Sequence, residues 1–195
     1  MSLRIKLREA THQLHQDTEQ LLFPDQSWQE LSLDNYGQFL QTQFVFHSSI
    51  ERAITSAISP SLKEQLQWPQ RQKSGWIEAD LEEINVLLPQ HLPLPAELTS
   101  EAAALGMLYV TEGSMLGGRM IHKTLQQNEH IAPYSAFRFL EGYGEQTGAL
   151  WKGFLHVLAQ EVKEEEEEST AIAAAKQGFG IFAESVSFIQ RATLA

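Results

Sequence analysis

Leu105-Gly-Met-Leu-Tyr-Val-Thr-Glu-Gly-Ser-Met-Leu-Gly-Gly-Arg-Met-Ile-His-Lys-Thr-Leu125 reads as one long helix with Gly113, Gly117 and Gly118 in its interior. Each glycine costs roughly 1 kcal/mol against alanine at such a position, so something other than helix propensity retains them. Gly113 and Gly117 are four apart and share a face, which strips that face of side chains. Two explanations fit. A second helix can pack closely there, since small residues four apart also serve that purpose, or a flat, bulky molecule can press against the bare backbone. The third glycine and the flanking Ser114 go beyond what simple packing needs, without excluding it.

Outward from this stretch the periodicity stays helical. Leu3, Leu7, Ala10, Leu14 and Leu21 mark a first amphipathic helix, closed near Phe23-Pro24-Asp25. A second starts at Asp34 as N-cap and runs through Phe39, Phe44 and Ile50 towards Ile58, before Pro60. Trp76, Ile77, Leu81, Ile84 and Leu88 give a third, broken by Pro89, Pro93 and Pro95; Thr99 or Ser100 then caps the glycine-bearing helix, which ends near Asn128. Phe137, Phe139, Leu140 and Tyr143 pack within a connection, and helices resume from Gln146 to Glu164 and from Thr170 to Ala192. With no strand pattern, repeat or linker, residues 1–195 are expected to form one all-α domain, a helical bundle.

Composition narrows the chemistry. The chain has 195 residues, 43% hydrophobic and 20% charged, with a net charge of -11 and no cysteine. Such a charge disfavours nucleic acid and offers no basic stripe to an anionic membrane. Lack of cysteine removes disulfides, thiolate ligands and a cysteine nucleophile, and is compatible with the cytoplasm. No signal-peptide core precedes the first helix, and no run approaches the ~18 apolar residues of a membrane span. Glu164 to Glu168 read as a solvated helix end or loop, although a basic partner could use them.

On the first helix Arg8, His12, His15 and Glu19 follow steps of four, three and four, a polar line beside the apolar stripe. His15 follows Leu14 and sits at the edge of the buried face, where an imidazole can coordinate iron. Glu19 can accept a hydrogen bond from the other ring nitrogen and fix its tautomer. Arg8 can meet an anionic edge of the same ligand. A boundary histidine with a glutamate four residues on also occurs on many ordinary surface helices. The remaining histidines, His47, His91, His122, His130 and His156, are isolated and read as surface or core residues. A ligand sandwiched between a ligating helix and a bare one has the demands of haem.

The motifs Leu7-Arg-Glu-Ala-Thr-His-Gln-Leu-His15 with Gln-Asp-Thr-Glu19, and Leu108-Tyr-Val-Thr-Glu-Gly-Ser-Met-Leu-Gly-Gly-Arg119, resemble those of the haem oxygenases, particularly small soluble bacterial forms including those associated with bacteriophytochromes. A weaker match runs through Gly142-Tyr-Gly-Glu-Gln-Thr-Gly148 and Trp151-Lys152. The resemblance implies His15 as proximal iron ligand and Glu19 as its support. It places Gly113, Gly117 and Gly118 on a distal helix against the haem, with Arg8 and Lys152 near the propionates and His12 on the same ligand-binding face. Gly113, Ser114 and Gly117 would form the catalytic distal wall. Haem would be substrate and cofactor together, opened with O2 and an electron donor (a ferredoxin, a reductase or ascorbate) to biliverdin, CO and iron. Many members carry an aspartate after the first distal glycine; here Ser114 stands there, uncharged but able to donate and accept.

Other readings remain at this point. Glu9-Ala-Thr-His12 is a Glu-x-x-His unit of the kind found in carboxylate metal bundles, but such sites use two. Thiaminase-like proteins share the haem oxygenase fold yet usually need a cysteine. A haem-binding or sensory protein without turnover would keep His15 and tolerate Ser114.

Overall fold

A Ser-Pro pair and two carboxylates reaching across from other helices set the helix boundaries that periodicity alone places loosely. The computed structural model describes residues 1–22, 26–89 and 98–193. Helix α1 spans Leu3–Leu22 and buries Leu3, Leu7 and Thr11. Helix α2, Leu33–Ala57, is capped by the Ser32 hydroxyl, which accepts from the Asn35 N–H at 3.2 Å. The expected cap, Asp34, instead lies in the first turn, where its charge complements the helix dipole. At Ser59-Pro60 the chain stops one helix and starts another: Ser59 caps α3 (Pro60–Leu66) and Pro60 occupies its first turn, where a missing N–H costs nothing.

A 3-10 turn over Trp68–Arg71 leads to α4, Ser74–Glu83. This helix has no cap of its own. Glu51 of α2 supplies one, accepting from the N–H groups of Lys73 and Ser74 and from the Ser74 hydroxyl. The expected extension to Leu88 fails because the chain turns at Asn85, whose φ of 56° ends helical geometry. Helix α5, Glu101–Leu125, is capped by Ser100. The single turn α6, Arg138–Glu141, is held by buried Asp80, which accepts from the Arg138 and Phe139 N–H groups at 3.0 and 2.9 Å. Burial pushes the Asp80 carboxyl up, and these bonds oppose the shift.

Helices α7, Thr147–Glu161, and α8, Glu165–Thr193, complete an assembly with no strand among the described residues. Helix α8 starts earlier than Thr170, so Glu165 to Glu168 form its first turn. Glu167 accepts the Lys163 and Glu164 N–H groups there, and the bonds from Glu164 and Lys163 hold its carboxyl below the usual range. The expected closure at Phe23-Pro24-Asp25, the prolines Pro93 and Pro95, and His91 lie outside the described residues.

Helix α8 packs most extensively on α5, and α1 lies along it as well. Gly106 of α5 meets the Ala171 backbone so closely that a side chain there would overlap the Ala171 carbonyl. Two apolar clusters fill the interior. One joins Leu7, Ile50, Leu105, Phe154 and Ala175; the other joins Tyr36, Leu40, Leu81, Leu125 and Leu140. Among the described residues no helix is long and apolar enough to cross a membrane.

Candidate functional site

Helices α1 and α5 run the same way along α8, and specific pairs fix their heights. Lys6 of α1 pairs with Glu168 and His15 with Phe179; Gly106 of α5 meets Ala171, and Met107 and Val110 meet Gly178. His15 therefore stands at the height of Met107 and Val110, about one turn below the glycine segment of α5. Its ring is edge-on to Phe179, with centroids 6.2 Å apart. The side chain is 59% exposed, and Nδ1 lies 3.5 Å from Glu19 Oε1 one turn along α1. Arg8 and His12 are exposed on the same helix.

The glycines of α5 divide by direction. A side chain at Gly117 would meet nothing within 4 Å, and one at Gly113 would meet only the Trp151 ring, at 3.9 Å. Gly118 is buried, and a Cβ there would lie 3.1 Å from the Leu140 carbonyl oxygen, so this residue makes room for α6. Close helix packing, open as an explanation for Gly113 and Gly117, belongs instead to Gly106 and Gly178, both facing between α5 and α8.

Sequence reasoning passed over Leu116 and Met120. They lie on the Gly113 and Gly117 side of the helix and are 48% and 79% exposed, beside bare backbone. Large apolar side chains left in water at such a strip suit a flat apolar ligand, so the donor set and surface fit haem. At the lower end Tyr109, one turn before Gly113, packs on Trp151 with ring centroids 5.6 Å apart. Burial raises the Tyr109 pKa, and the charges of Arg4 and Arg8 pull it back. Lys152 follows Trp151 and is exposed. Arg4 was legible four residues before Arg8 on the same polar line.

Ser114 is exposed and donates its hydroxyl to the Thr111 carbonyl at 2.9 Å, leaving oxygen lone pairs outward. Inside the molecule, Glu112 accepts from Arg71, from Lys73 Nζ at 2.7 Å and from the Tyr143 hydroxyl at 2.7 Å. His47 is fully buried, and neither ring nitrogen has a hydrogen-bond partner among the described residues. Burial, with the Lys73 charge, holds its pKa well below 6.5. A concavity of about 390 Å³ is lined by Ala183, Glu184, Ser187, Phe188 and Arg191, all on α8, and so is a trough on one helix. Among the described residues no three metal-ligating side chains cluster, which leaves the carboxylate-bundle alternative without a site.

The haem oxygenase family model matches residues 1–88 and 89–187. The chain belongs to the haem oxygenase family. It is therefore an oxidoreductase of haem degradation, and a haem-binding protein without turnover is not the favoured reading. It is 29% identical to the haem oxygenase of Xanthomonas campestris over 152 residues, 78% of this chain and 88% of that protein. To the haem oxygenase PigA of Pseudomonas aeruginosa it is 28% identical over 178 residues, 91% and 87% of the two chains. Its all-helical fold matches that of the NO- and CO-bound haem oxygenase of Neisseria meningitidis with a TM-score of 0.80, 22% identity and 97% and 92% coverage. Haem oxygenase-1 of Synechocystis in complex with haem matches with a TM-score of 0.70 and 13% identity, covering 100% and 95%.

Proposed function

We propose that this haem oxygenase holds haem between α1 and α5, with His15 as the iron ligand and the Gly113, Leu116, Gly117 and Met120 face as the opposite wall. The observation that carries the proposal is the bare strip at Gly113 and Gly117 with exposed Leu116 and Met120 beside it, about one turn beyond the height of His15 along α8. Bound haem would supply both the iron that activates O2 and the ring that is opened to biliverdin, CO and iron. The other reactants are O2 and an electron donor, a ferredoxin, a reductase or ascorbate, in the cytoplasm where such donors are kept reduced.

The chain's own residues have separate tasks. Glu19 faces Nδ1 of His15, so Nε2 is the nitrogen offered to iron and the tautomer is set from behind. Arg8, Arg4 and Lys152 would receive the propionates, fixing rotation in the plane; the charges of Arg4 and Arg8 acting on Tyr109, whose ring packs on Trp151, support this. His12, three residues before His15, borders the ligand on the same helix. Gly117 admits the ring plane close to backbone. Ser114, its proton given to Thr111, would accept a hydrogen bond from water on the distal side and hold it near the reacting edge.

Titration with hemin tests the site. Wild-type protein is expected to give a sharp Soret band, His15→Ala to lose or shift it, and Gly117→Leu to weaken binding without loss of thermal stability. An unaltered band in His15→Ala would refute the ligand assignment.

A further inference from the structure

The glycine segment of α5 begins one residue after Glu112, a carboxylate only 2% exposed in the middle of the helix. Burying a charge costs several kcal/mol unless good partners replace its water. Glu112 has three donors, from two stretches of the chain distant from it in sequence. Arg71 ends the 3-10 turn, Lys73 precedes α4, and Tyr143 lies in the connection before α7. The donors are themselves held. Arg71 also donates to the carbonyls of Leu66 and, at 3.2 Å, Leu150 of α7, while Lys73 Nζ donates to the Arg71 carbonyl at 2.8 Å. Tyr143 is flanked by Gly142 and Gly144, both with positive φ, and its ring packs on Trp76. Burial and the Glu112 charge keep the Tyr143 hydroxyl protonated, so it remains a donor.

Such a grip fixes rotation as well as position. At about 100° per residue, Gly113, Gly117 and Met120 lie about 100°, 140° and 80° around the axis from Glu112, all to one side. Pinning Glu112 inward therefore aims that strip sideways into the groove. The same segment gives up roughly 1 kcal/mol of helix propensity per glycine, so it is where α5 most needs an external clamp. We infer that Glu112 is a positioning residue, whose grip by Arg71, Lys73 and Tyr143 holds the glycine strip of α5 toward the haem groove. The clamp follows from the geometry alone; its consequence for haem rests on the site proposed above.

Hydrogen exchange on the full-length protein separates the two. Glu112→Gln keeps the shape but removes the charge, and Tyr143→Phe removes a single donor from a half-buried side chain, which keeps the test available if the first variant does not fold. Amides of residues 113–118 should exchange about tenfold faster in Glu112→Gln and a few-fold faster in Tyr143→Phe, while α2 and α8 keep wild-type protection. Hemin affinity should fall in the same order. Unchanged exchange at 113–118, or equal acceleration in every helix, overturns the clamp. Local acceleration with unchanged hemin affinity overturns its link to the groove. If wild-type protein binds no hemin, the site proposal fails while the exchange data still judge the clamp.

Discussion

Gly106 of α5 and Ala171 of α8 touch backbone to backbone, whereas Gly117, eleven residues further along the same helix, faces open space. Alanine should therefore act oppositely at the two positions. Gly106→Ala drives a methyl into the Ala171 carbonyl and must part the two helices, a destabilisation of about 1–3 kcal/mol or more. Gly117→Ala meets nothing and recovers up to ~1 kcal/mol of helix propensity. Denaturant melts of the ligand-free variants check both signs. A stabilised Gly117→Ala that also binds hemin less tightly would show that the glycine is kept for the ligand and not for the fold.

Arg4 and Arg8 act on Tyr109 without any ligand present. Replacing either by alanine should raise the tyrosine pKa further, seen by spectrophotometric titration. It should also weaken hemin binding by about tenfold, the scale of one charge-assisted hydrogen bond, with the loss shrinking at high salt. Both side chains are exposed, so stability should stay within about 0.5 kcal/mol. Equal hemin affinity in wild type and both variants would remove these arginines from the site.

His47 gives the protein an acid limb. Its folded pKa lies well below the unfolded value of about 6.5, so below that pH the unfolded chain takes up a proton that the folded chain refuses. Stability should fall with decreasing pH by about 1.4 kcal/mol per unit from this residue until the folded pKa is reached. His47→Gln should flatten the fall between pH 6.5 and 5. Parallel stability curves for wild type and variant would contradict the assignment.

Ser114 is exposed and, among the described residues, hydrogen-bonds within its own helix turn. Ser114→Ala is expected to leave hemin affinity and melting temperature nearly unchanged while slowing haem degradation, because the oxygen that would hold distal water is gone. An unchanged degradation rate would remove the hydroxyl from the distal role.

What could be read from residues alone follows the range of the forces involved. Helical periodicity is local, so α1, α2, α5, α7 and α8 were legible, as was the polar line from Arg8 to Glu19. Pro60 alone reads as a stop, although Ser59-Pro60 with Leu62 and Leu66 is also a start signal. Asp34 and Ser32 both make good caps, and only the backbone path chooses between them. Which glycines serve packing depends on the partner helix, so Gly106 and Gly118 could not be sorted from Gly113 and Gly117. Arg71, Lys73 and Glu112 look like surface charges in sequence; their pairing spans about forty positions and appears only once the chain is folded. Arg4 shared the spacing of Arg8 and was available.

A haem site bounded by His15 and the Gly113 and Gly117 strip must support turnover and not binding alone. The most direct measurement loads the protein with hemin, supplies ascorbate and O2, and follows the absorption spectrum to extraction of the product. Decay of the Soret band with matching appearance of biliverdin is expected, and both are lost in His15→Ala. A Soret band that persists in the wild-type protein with no bilin recovered would contradict it.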